Sequence, residues 1–298
     1  MTSRLPRVRR ALLGLSAGLA LSACATLPQD PAPVPVVTPA EPPKQMQWLY
    51  GSGEAAALSI QSWHSLRDYV LNAARNRPRE SVVLAPGASL AQPRYVPCDR
   101  RPLAVVLDAD ETVILNLGYE YHEARTGRPF DPQVWSRWEQ TGADRVAPVP
   151  GAVTALRALR AAGVAVVYNT NRSRANAAAT EAALNRAGLG PVRHGETLFL
   201  SGDDDSGSAK DRRRATISER FCVVAMAGDQ LGDFSDLFNV RTLTVPERRR
   251  LAGSGPIAAR WGNGWFVLPN PVYGSGVRGT FDDVFPADTR WADPDPQP

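Results

Sequence analysis

Two aspartates stand one residue apart directly after a short apolar run. Asp108 and Asp110 follow the segment Leu103–Leu107 of the 298-residue chain. If that segment is a strand, both carboxylates lie at its carboxyl end, where parallel sheets bind their ligands. One aspartate can then attack phosphorus and form an acyl-phosphate, while the second protonates the leaving oxygen and later activates water. A solvated turn would also suit such a pair, so the pair alone is weakly specific.

Two further apolar segments end in polar residues. Val164–Tyr168 leads to Thr170, whose hydroxyl can hydrogen-bond a phosphoryl oxygen. Cys222–Ala227 leads to Asp229 and Asp233, which could hold Mg²⁺, a hard cation that prefers oxygen ligands. Each of these ends alone could be only a helix cap. Three polar strand ends on one sheet, however, predict a shared site.

Lysine is rare in this chain. The 34 Lys and Arg residues include only two lysines, Lys44 and Lys210, so arginine is used wherever either cation would serve. Lys210 is therefore a candidate for a compact point charge, which would offset the negative charge of the nucleophile and of a phosphate. The alternative is that Lys210 is an ordinary surface residue.

Strand-like and helix-like segments alternate along the chain, and 43% of the residues are hydrophobic. This pattern predicts an α/β fold, a three-layer, Rossmann-like, mainly parallel sheet with helices on both faces. The predicted strands are Leu103–Leu107, Val164–Tyr168, a short one at Phe199, Cys222–Ala227 and Val240–Val245. The predicted helices are Gly53–Arg77, Val153–Ala162, Arg174–Ala187 and Ala209–Arg220.

The first residues are typical of an export signal. Four arginines within the first ten residues precede an apolar run over residues 11–23, which is shorter than the about 20 residues that cross a membrane and fits a signal peptide. The sequence Leu-Ser-Ala-Cys at 21–24 resembles the bacterial lipobox, whose cysteine becomes the lipidated N-terminus. We therefore expect a signal peptide over residues 1–23 and lipidation of Cys24. An ordinary signal peptide with a chance cysteine is the alternative. Ala25, in place of Asp, favours the outer membrane.

Composition also describes the regions around the folded domain. Residues 24–46 are rich in Pro, Ala and Val and predict an extended tether. The Pro- and Asp-rich residues 291–298 are expected to be disordered. The net charge of +4 comes from the four arginines of residues 1–23, so the mature chain is close to neutral and a nucleic-acid polymer is not an expected partner.

Two cysteines remain if Cys24 is lipidated. Cys98 and Cys222 both lie near the starts of predicted strands, and exported proteins can form disulfides. A bridge is therefore conceivable, but two unrelated buried thiols are the preferred interpretation.

Four motifs together resemble those of the haloacid dehalogenase superfamily: DADET, a strand ending in TNR, a lysine before a basic helix, and GDQLGDF. Within it, the chain is similar to the bacterial class C acid phosphatases, the outer-membrane lipoprotein acid phosphatase/5′-nucleotidase family, through DETVILN, PFDPQVWSRW, VPGAV, VVYNTNR and LPNPVYG. The lipobox fits this family as well. The resemblance implies a haloacid dehalogenase-type domain over residues 47–290, with a small helical cap made by the N-terminal helices and the insert at residues 113–150.

The resemblance also implies catalytic and metal-binding roles. Asp108 would be the nucleophile and a ligand of Mg²⁺, and Asp110 would be the general acid and base, with its backbone carbonyl on the metal. Asp229 would bind Mg²⁺ directly, and Asp233 directly or through water. The expected activity is that of a Mg²⁺-dependent acid phosphatase, which hydrolyses phosphomonoesters through an aspartyl-phosphate intermediate.

Further implied roles concern the substrate. Thr170 and Asn171 would lie at the phosphate with Lys210 beside them, and Trp135 and Tyr273 align with aromatics that flank the substrate base. Nucleoside 5′-monophosphates are therefore the expected substrates. The chain has GDQLGDF where GDNLNDF is usual in the family, which affects the expected substrate preference more than the chemistry.

Three other interpretations remain. A lipoprotein that binds haem or a nucleotide, with weak or no catalysis, would keep the anchor but would not need the intact acidic motifs. Phosphotransfer to an alcohol instead of water is also compatible with the sequence. His194 lies in an RHGET segment that matches the histidine-phosphatase signature, but no histidine follows it, so we interpret this as a chance match.

Overall fold

The computed structural model describes residues 39–294. The expected signal peptide (residues 1–23), Cys24 and most of the expected tether (residues 24–46) lie outside the described residues, as do the last four residues of the expected tail (291–298). The first helix already begins at Lys44, inside the stretch assigned to the tether. None of the helices between residues 39 and 294 is long and apolar enough to cross a membrane.

Helices and strands alternate along the described chain. The strands are β1 (Glu80–Leu84), β2 (Tyr95–Pro97), β3 (Leu103–Leu107), β4 (Ile114–Leu115), β5 (Ala147–Pro148), β6 (Ala165–Ser173), β7 (Leu198–Ser201), β8 (Cys222–Gly228) and β9 (Trp265–Val267). The α-helices are α1 (Lys44–Gly51), α2 (Gly53–Arg75), α3 (Leu117–Thr126), α4 (Pro132–Thr141), α5 (Ala152–Ala161), α6 (Ala177–Arg186), α7 (Asp211–Arg220), α8 (Val245–Gly253), α9 (Gly255–Ala258) and α10 (Phe281–Val284). Short 3₁₀ helices cover Arg174–Asn176, Leu231–Asp233, Asp236–Asn239, Ser275–Val277 and Ala287–Thr289.

Parallel strands form the central sheet, in the order β7-β6-β3-β8-β9. β3 is the middle strand of the sheet. Its apolar residues are all buried, as expected for a strand that is covered on both faces. Its last residue, Leu107, pairs with Tyr168 of β6 and with Ala227 of β8. The polar residues at the carboxyl ends of these strands, which for β6 are part of the strand itself, are therefore brought towards one edge of the sheet.

Two apolar layers cover the sheet. One face packs against α2, α5 and α6, with Trp63, Leu156 and Leu184 buried in that layer. The other face packs against α7, α9 and the β1–β2 hairpin, with Ile217 and Ile257 buried there. The predicted α/β fold with three layers is confirmed.

The insert between β4 and β5 forms a helical cap of α3 and α4. β4 and β5 pair with each other, so the insert leaves and rejoins the core at one point. Glu139 on α4 anchors the cap, since its carboxylate accepts hydrogen bonds from Asn176 at 2.6 Å and from the Ser173 N–H at 3.2 Å. The expectation that the N-terminal helices also form the cap is wrong for α2, because its apolar residues, such as Trp63 and Val70, pack into the core beside α5 and the sheet.

The predicted strand Val240–Val245 is also wrong. Residues 240–244 form a loop, and α8 begins at Val245. Thr244 and Glu247 cap that helix with reciprocal hydrogen bonds, which is a strong helix-start arrangement. Val240 is 48% exposed, so no buried strand is available to this run.

Cys98 and Cys222 form a disulfide, with their Cα atoms 4.6 Å apart. The interpretation as two unrelated thiols is therefore wrong. Cys222 opens β8, and its backbone N–H donates to the Pro102 carbonyl at 2.8 Å. This pairing brings the start of β8 beside the chain that leads into β3, at the edge of the sheet opposite the polar strand ends.

Candidate active site

The chain turns sharply as it leaves β3. The backbone N–H of Asp108 donates to the Ala227 carbonyl at 2.9 Å, which ties this residue to β8. The Val113 N–H then closes the turn on the Ala109 carbonyl at 2.9 Å. Within the turn, Glu111 has a φ of 51°, a left-handed conformation that costs energy in residues other than glycine and is concentrated at functional sites. The turn therefore fixes the aspartates at the carboxyl edge of the sheet.

A buried ammonium group joins two aspartates at this edge. Lys210 Nζ donates to Asp108 Oδ1 and, at 2.7 Å, to Asp233 Oδ1. Burial raises the pKa of Asp108 well above its usual value, although the charge of Lys210 acts in the opposite direction. Burial also works against the charge of Lys210, but the two aspartates outweigh it and raise the pKa of Lys210. Lys210 is therefore held as a cation beside Asp108.

Asp229 completes a group of three carboxylates, Asp108, Asp229 and Asp233, which we call the acidic cluster. It follows β8, and the side chains of Thr112, Gln230 and Asn270 donate to its carboxylate at 3.3, 3.0 and 2.7 Å. Burial, followed by the charge of Asp233, raises the pKa of Asp229 to about 7. The donors fix the orientation of the carboxylate without supplying a positive charge.

The acidic cluster has the donors that a hard cation requires. Oxygens of Asp108, Asp229 and Asp233 lie within 4.8 Å of one another. Gly228 permits this approach, since a Cβ at that position would lie 2.2 Å from the Cβ of Asp233. Three carboxylates face the single ammonium group of Lys210, so a divalent cation would balance the remaining negative charge. Mg²⁺ prefers carboxylate oxygens, and these residues therefore fit it.

Asp110 is held by hydrogen bonds on one oxygen. Arg172 donates to Asp110 Oδ1 from Nε at 2.9 Å and from Nη2 at 2.8 Å, and Asn116 donates to the same oxygen at 2.9 Å. Arg172 also donates to Asn116 Oδ1 at 2.7 Å, where Trp138 Nε1 donates as well, at 3.0 Å. Burial opposes the charge of Arg172, but Asp110 and Glu139 outweigh it and raise its pKa. Arg172 of β6 and Asn116 at the start of the cap insert thus together fix the orientation of the Asp110 side chain.

A cleft of about 960 Å³ lies between the strand ends and the cap. Its wall contains each site residue predicted within the described part of the chain, with the exception of Thr170: Asp108, Asp110, Trp135, Asn171, Lys210, Asp229, Asp233 and Tyr273. The cleft therefore joins the acidic cluster to aromatic residues of the cap and of the loop after β9.

The two residues expected at the phosphate differ in their surroundings. Thr170 is fully buried, and its hydroxyl accepts a hydrogen bond from the Arg172 N–H at 3.2 Å. Asn171 lines the cleft, where its amide donates to the Ser208 carbonyl at 3.0 Å and accepts from Arg213 at 2.6 Å. Asn171 is thus placed on the cleft wall, whereas Thr170 braces the end of β6.

Trp135 and Tyr273 both line the cleft but are held by different elements. Trp135 Nε1 donates to Glu139 at 2.8 Å, and its ring packs edge-on against Tyr119 at 4.8 Å between centroids. The Tyr273 side chain is 37% exposed, while its hydroxyl donates to the buried Glu111. Burial, followed by the charge of Glu111, raises the pKa of the Tyr273 hydroxyl, so it remains a donor. The polar atom of each of these two side chains is thus held by a glutamate, and both residues line the cleft.

Sequence reasoning missed several residues that shape this site. Arg172 and Asn116 orient Asp110, and Asn270 orients Asp229. Arg172 and Asn270 belong to the family-like segments TNR and LPNPVYG, so the resemblance could have pointed to these two residues. The aspartates that they bind could not be identified from the sequence. His194 pairs with Asp203 at 2.7 Å and does not line the cleft.

A parallel sheet with an aspartate–lysine pair, an acidic cluster at its carboxyl edge and an inserted cap defines a haloacid dehalogenase-type α/β protein. The chain belongs to the HAD superfamily, subfamily IIIB (Acid phosphatase), whose family model matches residues 59–276. This match covers most of the chain and includes the residues of the acidic cluster.

Known proteins agree with this assignment. Acid phosphatase 1 of Solanum lycopersicum is 32% identical over 135 residues, which cover 43% of this chain and 50% of that protein. The chain thus spans about half the length of this curated relative. The class C acid phosphatase from Bacillus anthracis superposes with a TM-score of 0.62 at 25% identity, covering 78% of this chain and 84% of that one. The tungstate-bound crystal structure of the same enzyme shares the fold, with a TM-score of 0.63 at 24% identity.

Proposed function

We propose that this protein is a Mg²⁺-dependent acid phosphatase that hydrolyses phosphomonoesters through an aspartyl-phosphate on Asp108. The observation that carries the proposal is the buried contact of Lys210 with Asp108 and Asp233, beside Asp229, at the floor of the cleft. A nucleophile that must be ionised is here paired with a permanent cation inside a low-dielectric site, where charges act strongly. A protein that only bound its ligand would not need this arrangement.

In the first step, a carboxylate oxygen of Asp108 attacks phosphorus as the bond to the leaving oxygen breaks. Lys210 would stabilise the charge on the phosphoryl oxygens, and Mg²⁺ held by Asp108, Asp229 and Asp233 would neutralise more of it. Asp110 gives its proton to the leaving alkoxide. Its Oδ2 suits this role, because the hydrogen bonds that Asp110 accepts from described residues all fall on Oδ1.

In the second step, Asp110 is the base. It takes a proton from water, and the resulting oxygen attacks the phosphorus of the aspartyl-phosphate. The acyl–phosphate bond breaks, inorganic phosphate leaves, and both Asp108 and the protonated Asp110 are restored. Asp110 acts in both steps. The rates of both steps therefore depend on its orientation by Arg172.

Phosphate release from para-nitrophenyl phosphate tests the proposal directly. We expect turnover at acidic pH by the wild type and a loss of at least about a thousandfold in kcat for Asp108→Asn, because the covalent route is then closed. Circular dichroism should show a retained fold. Asp144→Asn, which changes an exposed aspartate of the cap, is the matched control and should stay fully active. An Asp108→Asn variant with a large part of wild-type activity would contradict the nucleophile assignment.

We infer further that nucleoside monophosphates are preferred substrates. The support is that Trp135 and Tyr273 line one cleft with the acidic cluster, and that base–aromatic stacking contributes roughly 1–3 kcal/mol per base. Trp135→Ala and Tyr273→Ala should raise KM for AMP and CMP while leaving KM for glycerol phosphate nearly unchanged. Equal damage to both substrate types, with a lowered melting temperature, would show that the rings only pack the cap.

We also infer a lipid anchor on Cys24 and a place at the bacterial outer membrane, both supported by the lipobox-like residues 21–24 and by Ala25. In cells fed a radioactive fatty acid, the wild type should be labelled and should fractionate with outer membranes. Cys24→Ser should be unlabelled. Labelling of Cys24→Ser equal to that of the wild type would rule out Cys24 as the anchor.

A further inference from the structure

The cleft is much larger than a phosphate group, and its two ends differ in character. Beyond the acidic cluster, one end is formed by the cap and is lined by aromatic and acidic side chains, which include Trp135 and Glu120. The other end is formed by the loop before α8, by α8 and by the loop after β9. There, three guanidinium groups line the wall: Arg241, Arg248 and Arg278.

Within the described part of the chain, these three arginines form no ion pair with a carboxylate. Among residues 39–294, ion pairs within 4.0 Å join other arginines to carboxylates, but none involves Arg241, Arg248 or Arg278. Arg248 is half-buried, and its pKa is lowered by burial and then by the positive charge of Arg278. Arg241 and Arg278 are exposed. The repulsion between Arg248 and Arg278 costs free energy, which a bound anion would offset.

The neighbouring arginines of α8 differ in position. Arg249 and Arg250 also form no ion pair within 4.0 Å among residues 39–294, although their charges, after the capping hydrogen bonds of Thr280 and Thr244, help to lower the pKa of Asp283 and of Glu247. Neither of these two arginines lines the cleft. On α8 and its flanking loops, Arg241, Arg248 and Arg278 are thus the arginines that face the cleft.

Arg248 is also fixed in place relative to the acidic cluster. Its Nε donates to the Phe238 carbonyl at 3.2 Å and its Nη2 to Ser275 Oγ at 2.8 Å. The Ser275 N–H donates to Gln230 at 3.2 Å, and Gln230 donates to Asp229 at 3.0 Å. A chain of hydrogen bonds therefore connects the arginine end of the cleft to the acidic cluster. A guanidinium held in this way is pre-organised to receive an anion.

We propose that Arg241, Arg248 and Arg278 form a second anion subsite, which binds a second phosphate group of the substrate while the first lies at Asp108. This inference rests on the proposed phosphatase function and narrows its substrate class to phosphomonoesters that carry another phosphate, such as nucleoside 3′,5′-bisphosphates. Guanidinium groups suit this role because they donate to phosphate oxygens in a fixed fork geometry.

Two matched ligand pairs test the subsite. Adenosine 3′,5′-bisphosphate is compared with AMP, and fructose 1,6-bisphosphate with fructose 6-phosphate, so that base stacking is separated from the second phosphate. Kd is measured by calorimetry on Asp108→Asn, which holds ligands without turnover, and kcat/KM on the active enzyme. We expect at least one bisphosphate to bind about tenfold or more tightly than its monophosphate, the factor that one charge-assisted hydrogen bond supplies.

Three variants locate the effect. Arg241→Gln and Arg278→Gln should each remove most of the preference for the bisphosphate and leave kcat/KM for para-nitrophenyl phosphate near the wild-type value. Arg250→Gln, on α8 but outside the cleft, should keep the preference. The proposal is overturned if monophosphates and bisphosphates bind equally, or if Arg250→Gln loses the preference as Arg278→Gln does.

The outcome is separable from that of the proposed function. Hydrolysis of monophosphates without any bisphosphate preference would reject the subsite and keep the phosphatase. Bisphosphate preference in the calorimetric experiment without hydrolysis by the wild type would reject the phosphatase and keep the subsite.

Discussion

Arg172 binds Asp110 through two nitrogens of one guanidinium group, with Nε and Nη2 at 2.9 and 2.8 Å from the same oxygen. Arg172 is buried, at 2% exposure, and its guanidinium lies 5.6 Å from the centre of the Trp135 ring. The arginine therefore touches both the proposed general acid and an aromatic wall of the cleft. This geometry makes Arg172 a positioning residue for Asp110.

Arg172→Lys should impair substrates with poor leaving groups most. Lysine keeps the charge but cannot bind Asp110 with two nitrogens, so proton transfer to the leaving oxygen loses its geometry. We expect kcat/KM for glycerol phosphate to fall by about tenfold to a hundredfold, which is part of the about 10²–10⁴-fold that general acid catalysis contributes. The loss of kcat/KM for para-nitrophenyl phosphate should be much smaller, because para-nitrophenolate leaves without a proton and kcat/KM does not include the later hydrolysis of the aspartyl-phosphate.

The control for this experiment is Arg101→Lys. Arg101 binds carbonyl groups near the disulfide, at the edge of the sheet away from the cleft. The Arg101→Lys variant should keep the wild-type kcat/KM for both substrates. Equal losses of kcat/KM for both leaving groups in Arg172→Lys would indicate a purely structural role.

Metal dependence is expected from the acidic cluster. Treatment with EDTA followed by dialysis should abolish activity, and added Mg²⁺ should restore it. Asp229→Asn should weaken Mg²⁺ binding, measured by calorimetry, at least about tenfold, because it removes a charged ligand. Asp205→Asn changes an exposed acidic loop and should bind Mg²⁺ as the wild type does. Activity that survives exhaustive chelation would refute the metal site.

Glu120 should make the protein less stable at alkaline pH. It is 3% exposed, and burial, followed by the charges of Glu111 and Glu123, raises its pKa from 4.5 to about 8. The folded chain then binds this proton more tightly than the unfolded chain does. The resulting stabilisation is fully present below pH 4.5 and is lost as the pH rises through about 8.

Glu120→Gln removes this dependence. The variant should melt at a higher temperature than the wild type at pH 8.5, and the two melting temperatures should converge near pH 4. Thermal denaturation across this range measures the difference. Glu219→Gln, at an exposed position of α7, should follow the wild type throughout. A constant offset between Glu120→Gln and the wild type at all pH values would contradict the assignment to Glu120.

The disulfide should stabilise the fold without affecting the chemistry. Cys98 and Cys222 are separated by 124 residues in sequence, and a bridge over a long loop contributes about 2–4 kcal/mol. Reduction should lower the melting temperature by several degrees while kcat at 25 °C stays unchanged, since the bridge lies at the opposite edge of the sheet from the cleft. The double variant Cys98→Ala/Cys222→Ala should already melt at the lower temperature and should not respond to reductant. A melting temperature of the wild type that does not change on reduction would argue against the bridge.

Local patterns predicted β3 and β8 closely, whereas β6 runs to Ser173, five residues beyond its predicted end at Tyr168. The run Leu103–Leu107 is β3 without adjustment, and Cys222–Ala227 matches β8 to within one residue. Both are short apolar runs that end in acidic residues, a pattern that does not depend on distant contacts. The predicted strand Val240–Val245 failed because Thr244 and Glu247 form a capping box, which outweighs the β-propensity of two valines.

The sequence alone determined the fold class and the residue types of the acidic cluster, because hydrophobic periodicity and strand-end carboxylates are local features. Only the tertiary structure decided which partners those residues meet. Arg172 lies 62 residues from Asp110, and the arginines of the second cleft end come from different elements. Such pairings depend on how strands and loops converge at one edge of the sheet, and no spacing in the sequence records that convergence.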